Sequence, residues 1–475
     1  MRNPFENSDD RDVRDLIGRY EEMLRVKGGQ FFDVDEYEDI INYYITKNNL
    51  AKANKAVHYA SQIYPGNPVI MLKKAVILVN NNKPDDALRI LKDIIEIDPG
   101  NNEAHMMSGD LYSQRKDYRK AINCFKRGIE NADEPDEVHA SIAFEYEALG
   151  EFNNALSHLK KALSMAPDKE GLLYEIAFCY EIMEDVEDAI EFFNEFLDSS
   201  PYSSAAWFNI GNMYSAKSEF AEAIDAYDFA IAIEQDFASA LYNKANALMN
   251  LEKYEEAIEC YKETMLHEQP DAMAVFYIGE CYQNMGNAKK ALEHYKKAIK
   301  IDPNMADAYF YTGVIYNETG DYLSALEYML KAVGFEKDNT EYWYYIADTY
   351  HKAGEYEDAA EAYQKVLSIE PENTDAWLDL TDTYLVSAPI EKVIETLKKG
   401  ILTEGFDSFR LYARLFVIEY QHGLIREAAD TLLSGLKVDT WNFYNELIQF
   451  PAILDDPVVT EIIKAYTKTD ELPPY

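Results

Sequence analysis

The chain has 475 residues, with 45 Lys and Arg against 86 Asp and Glu, a net charge of −41. Such a surface repels a phosphate backbone, so nucleic acid is not expected as a partner, and basic or neutral protein segments are favoured. Apolar residues make up 48% and aromatics 13%, with 37 Tyr, which excludes a disordered acidic chain.

The first expected element is a helix over about 9–27. Ser8 can cap it, Val13, Leu16, Ile17, Tyr20 and Leu24 share one face, and Gly28 and Gly29 stop it. Two roles are open for it: a cap on the helices after it, or a regulatory segment lying in a binding groove. Residues 1–7 contain no apolar signal core, and the longest apolar run, Ala75 to Val79, is far too short to cross a bilayer. No membrane insertion and a cytoplasmic location are therefore expected. The short tails and simple composition suggest a bacterial chain.

From residue 34 onward the sequence matches itself at a shift of 34. One column is Ala53, Ala87, Ala121, Ala155, Ala189, Ala223, Ala257, Ala291, Ala325 and Ala359. A second is tyrosine: Tyr44, Tyr112, Tyr146, Tyr180, Tyr214, Tyr282, Tyr316, Tyr350 and Tyr384. A third is small: Ala75, Gly109, Ala143, Ala177, Gly211, Ala245, Gly279, Gly313 and Ala347. Each unit has two apolar stretches at helical spacing with a polar turn between them. Over 273–303 the first stretch carries Val275, Ile278, Gly279 and Tyr282, and Gly286 and Asn287 break it. The second carries Ala291, Leu292, Tyr295, Ala298 and Ile299, and Pro303 ends it. The small residues let the two helix backbones of a unit approach closely.

Units start at 34, 68, 102, 136, 170, 204, 238, 272, 306, 340 and 374, with a shifted one at 409. The eleventh departs from the pattern: Val393 replaces the alanine, Thr381 the small residue, and Ser387, Ala388 and Pro389 fill the turn. Beyond the last unit, Asp456 and Pro457 open a short helix with Val459, Ile462, Ile463 and Tyr466. Pro473, Pro474 and Tyr475 read as a frayed end or a recognition tail. The organisation expected is an N-terminal helical cap or segment (1–33), a repeat array (34–442), and a C-terminal capping helix and tail (443–475).

No phosphate-binding loop, zinc-protease motif or nucleophile elbow is present. The eight histidines and the cysteines Cys124, Cys179, Cys260 and Cys281 have no metal-site spacing, and the cysteines fit a reducing compartment. About 33 residues flank the array on either side, too few for a catalytic domain. No catalytic residue, cofactor or metal is expected.

The whole pattern, with Trp207, Ile210, Gly211, Tyr214, Ala223, Tyr227 and Ala230 as a near-consensus copy, resembles the tetratricopeptide repeat family. The resemblance implies an all-α, right-handed superhelical solenoid of about 12 tandem helix-turn-helix units with capping helices. It also implies that helix A of each unit lines a concave groove. The fifth place of successive units would then face the groove with Tyr174, Phe208, Tyr242, Phe276, Phe310 and Tyr344. Beside them stand Tyr277, Tyr311 and Tyr345, and two units offer Asn209, Asn212, Asn243 and Asn246. Rigid aromatic area and amides that both donate and accept suit a peptide track, though the same residues could serve packing between units. The family's carboxylate clamp for acidic chaperone tails is incomplete: Asn212 and Asn246 match, but Phe208, Phe276 and Glu280 stand where basic residues belong. Asp110, Glu280, Asp348 and Asp382 on the same row favour a basic or neutral ligand. The lysines Lys289, Lys290, Lys296, Lys297 and Lys300 are read as a solvated outer face. The function expected is a non-catalytic scaffold that binds a protein or extended peptide. The alternative is a structural or self-assembling subunit of a larger complex.

Overall fold

A computed structural model describes residues 8–26, 30–267, 271–404 and 408–467. Every regular element among them is a helix, and the helices from Val34 onward run in tandem antiparallel pairs at the expected spacing. The chain falls into two compact units, Met1–Ala240 and Leu241–Tyr475, each an all-α solenoid of helix pairs.

The repeated columns explain why the pairs form. All ten alanines of the first column are fully buried. The small residue of helix A faces the residue sixteen places on in helix B. A Cβ on Gly211 would sit 2.4 Å from Tyr227, and one on Gly109 would sit 2.3 Å from Phe125. The two backbones therefore approach to the limit that a missing side chain allows.

The turn between helices A and B has its own column. Asn48, Asn82, Lys116, Gly150, Glu184, Ser218, Glu252, Gly286, Gly320 and Gly354 all adopt positive φ, between 53° and 82°. The next residue then donates its N–H to the carbonyl at the tyrosine column, as in Asp117 to Tyr112 (2.9 Å) and Asn287 to Tyr282 (2.8 Å). This satisfies a helix-end carbonyl that would otherwise be orphaned. In the eleventh repeat Pro389 forces its predecessor out of this geometry, and Ala388 is extended at φ −136°. The departure expected from Ser387, Ala388 and Pro389 is thus a change of turn type.

In four repeats the tyrosine column ties a pair to its predecessor. The hydroxyls of Tyr146, Tyr180 and Tyr316 accept from Lys126 (2.6 Å), Lys160 (2.7 Å) and Lys296 (2.7 Å), twenty residues earlier. Tyr384 accepts from Gln364 at 2.6 Å. Lys296 is accordingly half-buried, whereas Lys289, Lys290, Lys297 and Lys300 are exposed.

The N-terminal helix, Ser8–Val26, packs on the first pair, Val34–Thr46 and Leu50–Ile63. Leu16, Ile17 and Tyr20 are buried against Phe32, Tyr37, Ile40 and Tyr44. Glu21 accepts from Tyr44 (3.0 Å) and from Lys52 (2.5 Å). The Ser8 side chain and Gly28 and Gly29 lie outside the described residues. At the other end, Thr440–Leu447, Pro451–Leu454 and Pro457–Thr467 cover the last pair, Phe409–Gln421 and Ile425–Val438. Phe443, Leu447, Leu454, Val459 and Ile463 close the core there. Asp456 caps the last helix as expected, its carboxylate accepting from Val458 N (2.8 Å) and Val459 N (3.3 Å). Residues 473–475 lie outside the described residues. Both ends thus bury the apolar face that a terminal repeat would expose.

Candidate interaction surface

Helix A of each repeat is about three and a half turns long, so its fifth, sixth and ninth places fall near one another on one side. The fifth-place rings do not all stand open. Tyr174 is 40% exposed, but Phe208, Phe276 and Phe310 are 8%, 5% and 1% exposed. Tyr242 and Tyr344 are half-buried. The expectation that all six rings present open faces is corrected for the three phenylalanines. Their edges and faces are used by neighbouring repeats.

In the second unit these rings form a continuous ladder. Tyr242 meets Tyr277 (6.1 Å between centroids), Tyr277 meets Phe276 (5.5 Å) and Phe276 meets Tyr311 (5.7 Å). Tyr311 meets Phe310 (5.2 Å), and Phe310 meets Tyr345 (5.2 Å). The contacts are tilted or edge-on, the favoured aromatic geometry. Each fifth-place phenylalanine is the buried rung, and each sixth-place tyrosine bridges to the repeat before it. Tyr344 donates its hydroxyl to Asp379, and Tyr342 donates to Asp307.

The asparagines are also engaged inside the fold. Asn209 is 2% exposed, and its amide nitrogen donates to Ala205 O at 2.9 Å. The side-chain carbonyl of Asn212 accepts from the Tyr227 hydroxyl (2.9 Å), and that of Asn246 from Tyr261 (2.5 Å). Asn243 is half-buried. A buried phenol needs an acceptor, and the ninth-place asparagine supplies one. Asn209 therefore cannot face a ligand, and the carbonyls of Asn212 and Asn246 are already taken.

Open aromatic surface of helix A is found in the first unit. Phe144 on helix Pro135–Ala148 is 61% exposed. Phe178 and Ile182 on helix Gly171–Ile182 are 44% and 51% exposed. Phe144 and Phe178 hold the ninth place of adjacent repeats, with Tyr174 at the fifth. Sequence reasoning missed them, although the acids of the ninth-place row are legible in it. The missing signal was that the residue sixteen places on from the small column fills the interior, which leaves the ninth place outside unless a tyrosine hydroxyl needs it.

Acids surround this row. Burial holds the carboxyls of Asp110 and Glu181 above their ordinary range. Burial, with Glu175 nearby, does the same for Glu147, which accepts from the Cys179 thiol at 3.6 Å. Among the described residues no ion pair involves Asp110, Glu147, Glu175 or Glu181. In the second unit burial and Asp307 raise Glu280. Asp348 and Asp382, by contrast, are paired with Lys352 (2.7 Å) and Arg414.

Other reactive groups are absorbed by packing. Burial pushes the Cys179 and Cys281 thiols up to about 12, so they serve as small apolar residues. His351 bonds Thr383 Oγ1 at 2.9 Å. His139 and His158 share one hydrogen between their Nδ1 atoms, 2.8 Å apart. Burial, with His139 close by, lowers His158 to about 4. Among the described residues no group of His, Cys, Asp and Glu could hold a metal ion. None of the described helices is long and apolar enough to cross a membrane.

The chain matches the tetratricopeptide repeat family over 44–143, 136–169, 204–237, 238–265, 272–305, 294–327 and 340–373, together more than half its length. It belongs to that family, whose helical repeats serve generally as protein-interaction scaffolds. No curated protein matches it in sequence. Among solved structures it is similar to YrrB, described as a TPR protein with an unusual peptide-binding site. The two are 22% identical, with a TM-score of 0.33, over 40% of this chain and 97% of YrrB. It is also similar to the C-terminal part of a TPR repeat-containing protein from Cytophaga hutchinsonii, at 18% identity and a TM-score of 0.44, over 50% of this chain and 99% of that one. A third is the APC/C hetero-tetramer Cut9–Hcn1, at 14% identity and a TM-score of 0.38, over 90% and 93%. What those proteins bind is theirs alone.

Proposed function

We propose that this chain is a non-catalytic cytoplasmic scaffold that holds an extended peptide or protein segment, basic or neutral in charge, along the helix A face. The observation that carries this reading is the row of Phe144, Tyr174, Phe178 and Ile182, open in the first unit beside acids that have no cation of their own. Such a row favours a segment that offers apolar side chains to the rings and positive charge to the rim. Within the second unit, the half-buried rings Tyr242, Tyr277, Tyr311 and Tyr344 offer their own edges and hydroxyls, with Asn243 among them. Phe276 and Phe310 pack against Tyr277 and Tyr311 among those rings.

The test uses that division. Partners captured by the wild type from native lysate are titrated against the Phe144→Ala/Phe178→Ala variant. Exposed rings can be removed with little effect on folding, so a loss of affinity on an unchanged circular dichroism spectrum supports the helix A face. Equal affinity rejects it. A solution mass that rises with concentration, with no captured partner, supports a self-assembling subunit instead.

A further inference from the structure

Among the described residues the repeat forms a recurring cleft on the helix B side. Its centre is the fourth place of helix A, occupied by His105, Trp207 or Trp377 in three such clefts; Trp343 holds the same place and donates to Lys337 O at 2.8 Å. Each of the three cleft rings donates an N–H to the carbonyl six residues earlier: Pro99 (2.9 Å), Pro201 (3.2 Å) and Pro371 (2.8 Å). The ring is pinned, and one helix B beside it forms a wall. The three clefts have volumes of about 640, 470 and 500 Å³.

Their chemistry differs at equivalent places. In the first cleft, Arg89, Lys92 and Arg127 stand among Asp85 and Glu96. Arg89 pairs with Asp86 (3.2 Å) and Lys92 with Glu96 (3.8 Å). In the third, Lys392 lies over the Tyr384 ring at 4.1 Å and Lys399 over Trp377 at 5.9 Å. The middle cleft has no such cation. Glu191 stands where the first has Arg89, and Asn194 where it has Lys92. Phe229 stands at the place of Arg127 and Lys399, stacked on Trp207 at 4.5 Å. Its wall is Glu191, Glu195 and Asp198, and its floor is Leu197, Pro201 and Trp207. Among the described residues none of the three carboxylates forms an ion pair or hydrogen bond.

From this internal comparison we propose that the middle cleft is a second docking surface, separate from the helix A face, and that it takes an amphipathic protein segment carrying lysine or arginine beside an apolar side chain. The apolar residue fills the space over Leu197, Pro201 and Trp207, and the cation supplies the charge that the other two clefts draw from their own chain. The cleft holds a side chain pair of that size, and three unpaired carboxylates within two helical turns favour a cation over any neutral group. A second copy of this chain is a poor occupant, since both copies carry a net charge of −41.

The probe is a fluorescein-labelled helical peptide with one leucine face and one lysine face, titrated by anisotropy at physiological ionic strength. The full chain is compared with Glu191→Gln/Glu195→Gln/Asp198→Asn. A matched control, Glu357→Gln/Asp358→Asn/Glu361→Gln, removes the same charge from an exposed helix B of the second unit. The expected result is a Kd about tenfold higher for the cleft variant and within about twofold of wild type for the control. Carbodiimide coupling should join the peptide lysines chiefly to Glu191, Glu195 and Asp198. Equal weakening in both triple variants overturns the proposal, because it reports general attraction to an acidic chain. So do absence of binding by the wild type and loss of binding in Phe144→Ala/Phe178→Ala, the latter placing the peptide on the helix A face.

Discussion

Replacing Gly211 by Ala adds one methyl group where the fold leaves no room. The new Cβ would lie 2.4, 2.6 and 2.9 Å from three ring carbons of Tyr227. Carbon atoms pack best at about 3.5–4.0 Å, so the shortfall is about 1 Å on a whole ring edge. The ring has little freedom to retreat. Tyr227 is 1% exposed, its hydroxyl is bonded to Asn212 at 2.9 Å, and Phe208 lies 6.0 Å away. Overpacking of this kind costs about 1–3 kcal/mol, and the better helix propensity of Ala returns about 1 kcal/mol. The net expectation is a loss of about 1 kcal/mol for Gly211→Ala and about 3 kcal/mol for Gly211→Val. Stability in a repeat array is local, so the assay is native-state hydrogen exchange on helices Ser204–Ala216 and Phe220–Ile233. Their amides should exchange about fivefold faster in Gly211→Ala, with helices Pro68–Asn80 and Pro84–Ile97 unchanged. Ala245 already faces Tyr261 in the next repeat, so a slightly wider spacing is attainable when a pair is built around it. Unchanged or slower exchange in Gly211→Ala would show that the sixth pair widens freely, and would refute the close-approach account of the small column.

The left-handed turn makes opposite predictions at two equivalent sites. Glu252→Gly should raise the thermal midpoint by relieving about 1 kcal/mol at φ 59°, whereas Gly286→Ala, at φ 73° with open space around it, should lower it by a similar amount. Phe208→Ala should cost about 3–5 kcal/mol in urea unfolding, and Phe144→Ala less than about 0.5 kcal/mol, because only the first ring is buried. His158 is held neutral in the fold down to about pH 4, while the unfolded chain takes up a proton below its ordinary value of 6.5. Native stability should therefore fall between pH 6.5 and 4 in the wild type, and His158→Phe should flatten that part of the profile in denaturant titrations.

The sequence by itself determined the class of fold. A 34-residue period with an alanine in helix B and a small residue in helix A permits few arrangements other than stacked close pairs, and the buried columns result from that spacing alone. It also offered a helix at each end, because Leu16, Ile17, Tyr20, Val459 and Ile463 repeat at helical spacing, but it left both roles of the first helix open. It did not determine which groups remain open. Periodicity identifies the face of a helix, but each helix A touches its own partner and both neighbouring repeats, so one face can be covered at one place and bare four residues later. The aromatic fifth place looked like a track in the sequence and is the rung of a ladder in the fold. Asn212 and Asn246 looked like ligand-facing amides and are acceptors for buried phenols. Phe144 and Phe178, which the sequence did not single out, are exposed, because the residue that fills the interior comes from helix B. Only the packed structure distinguishes these cases, since burial is a property of three neighbouring helices at once, and no single helical period contains it.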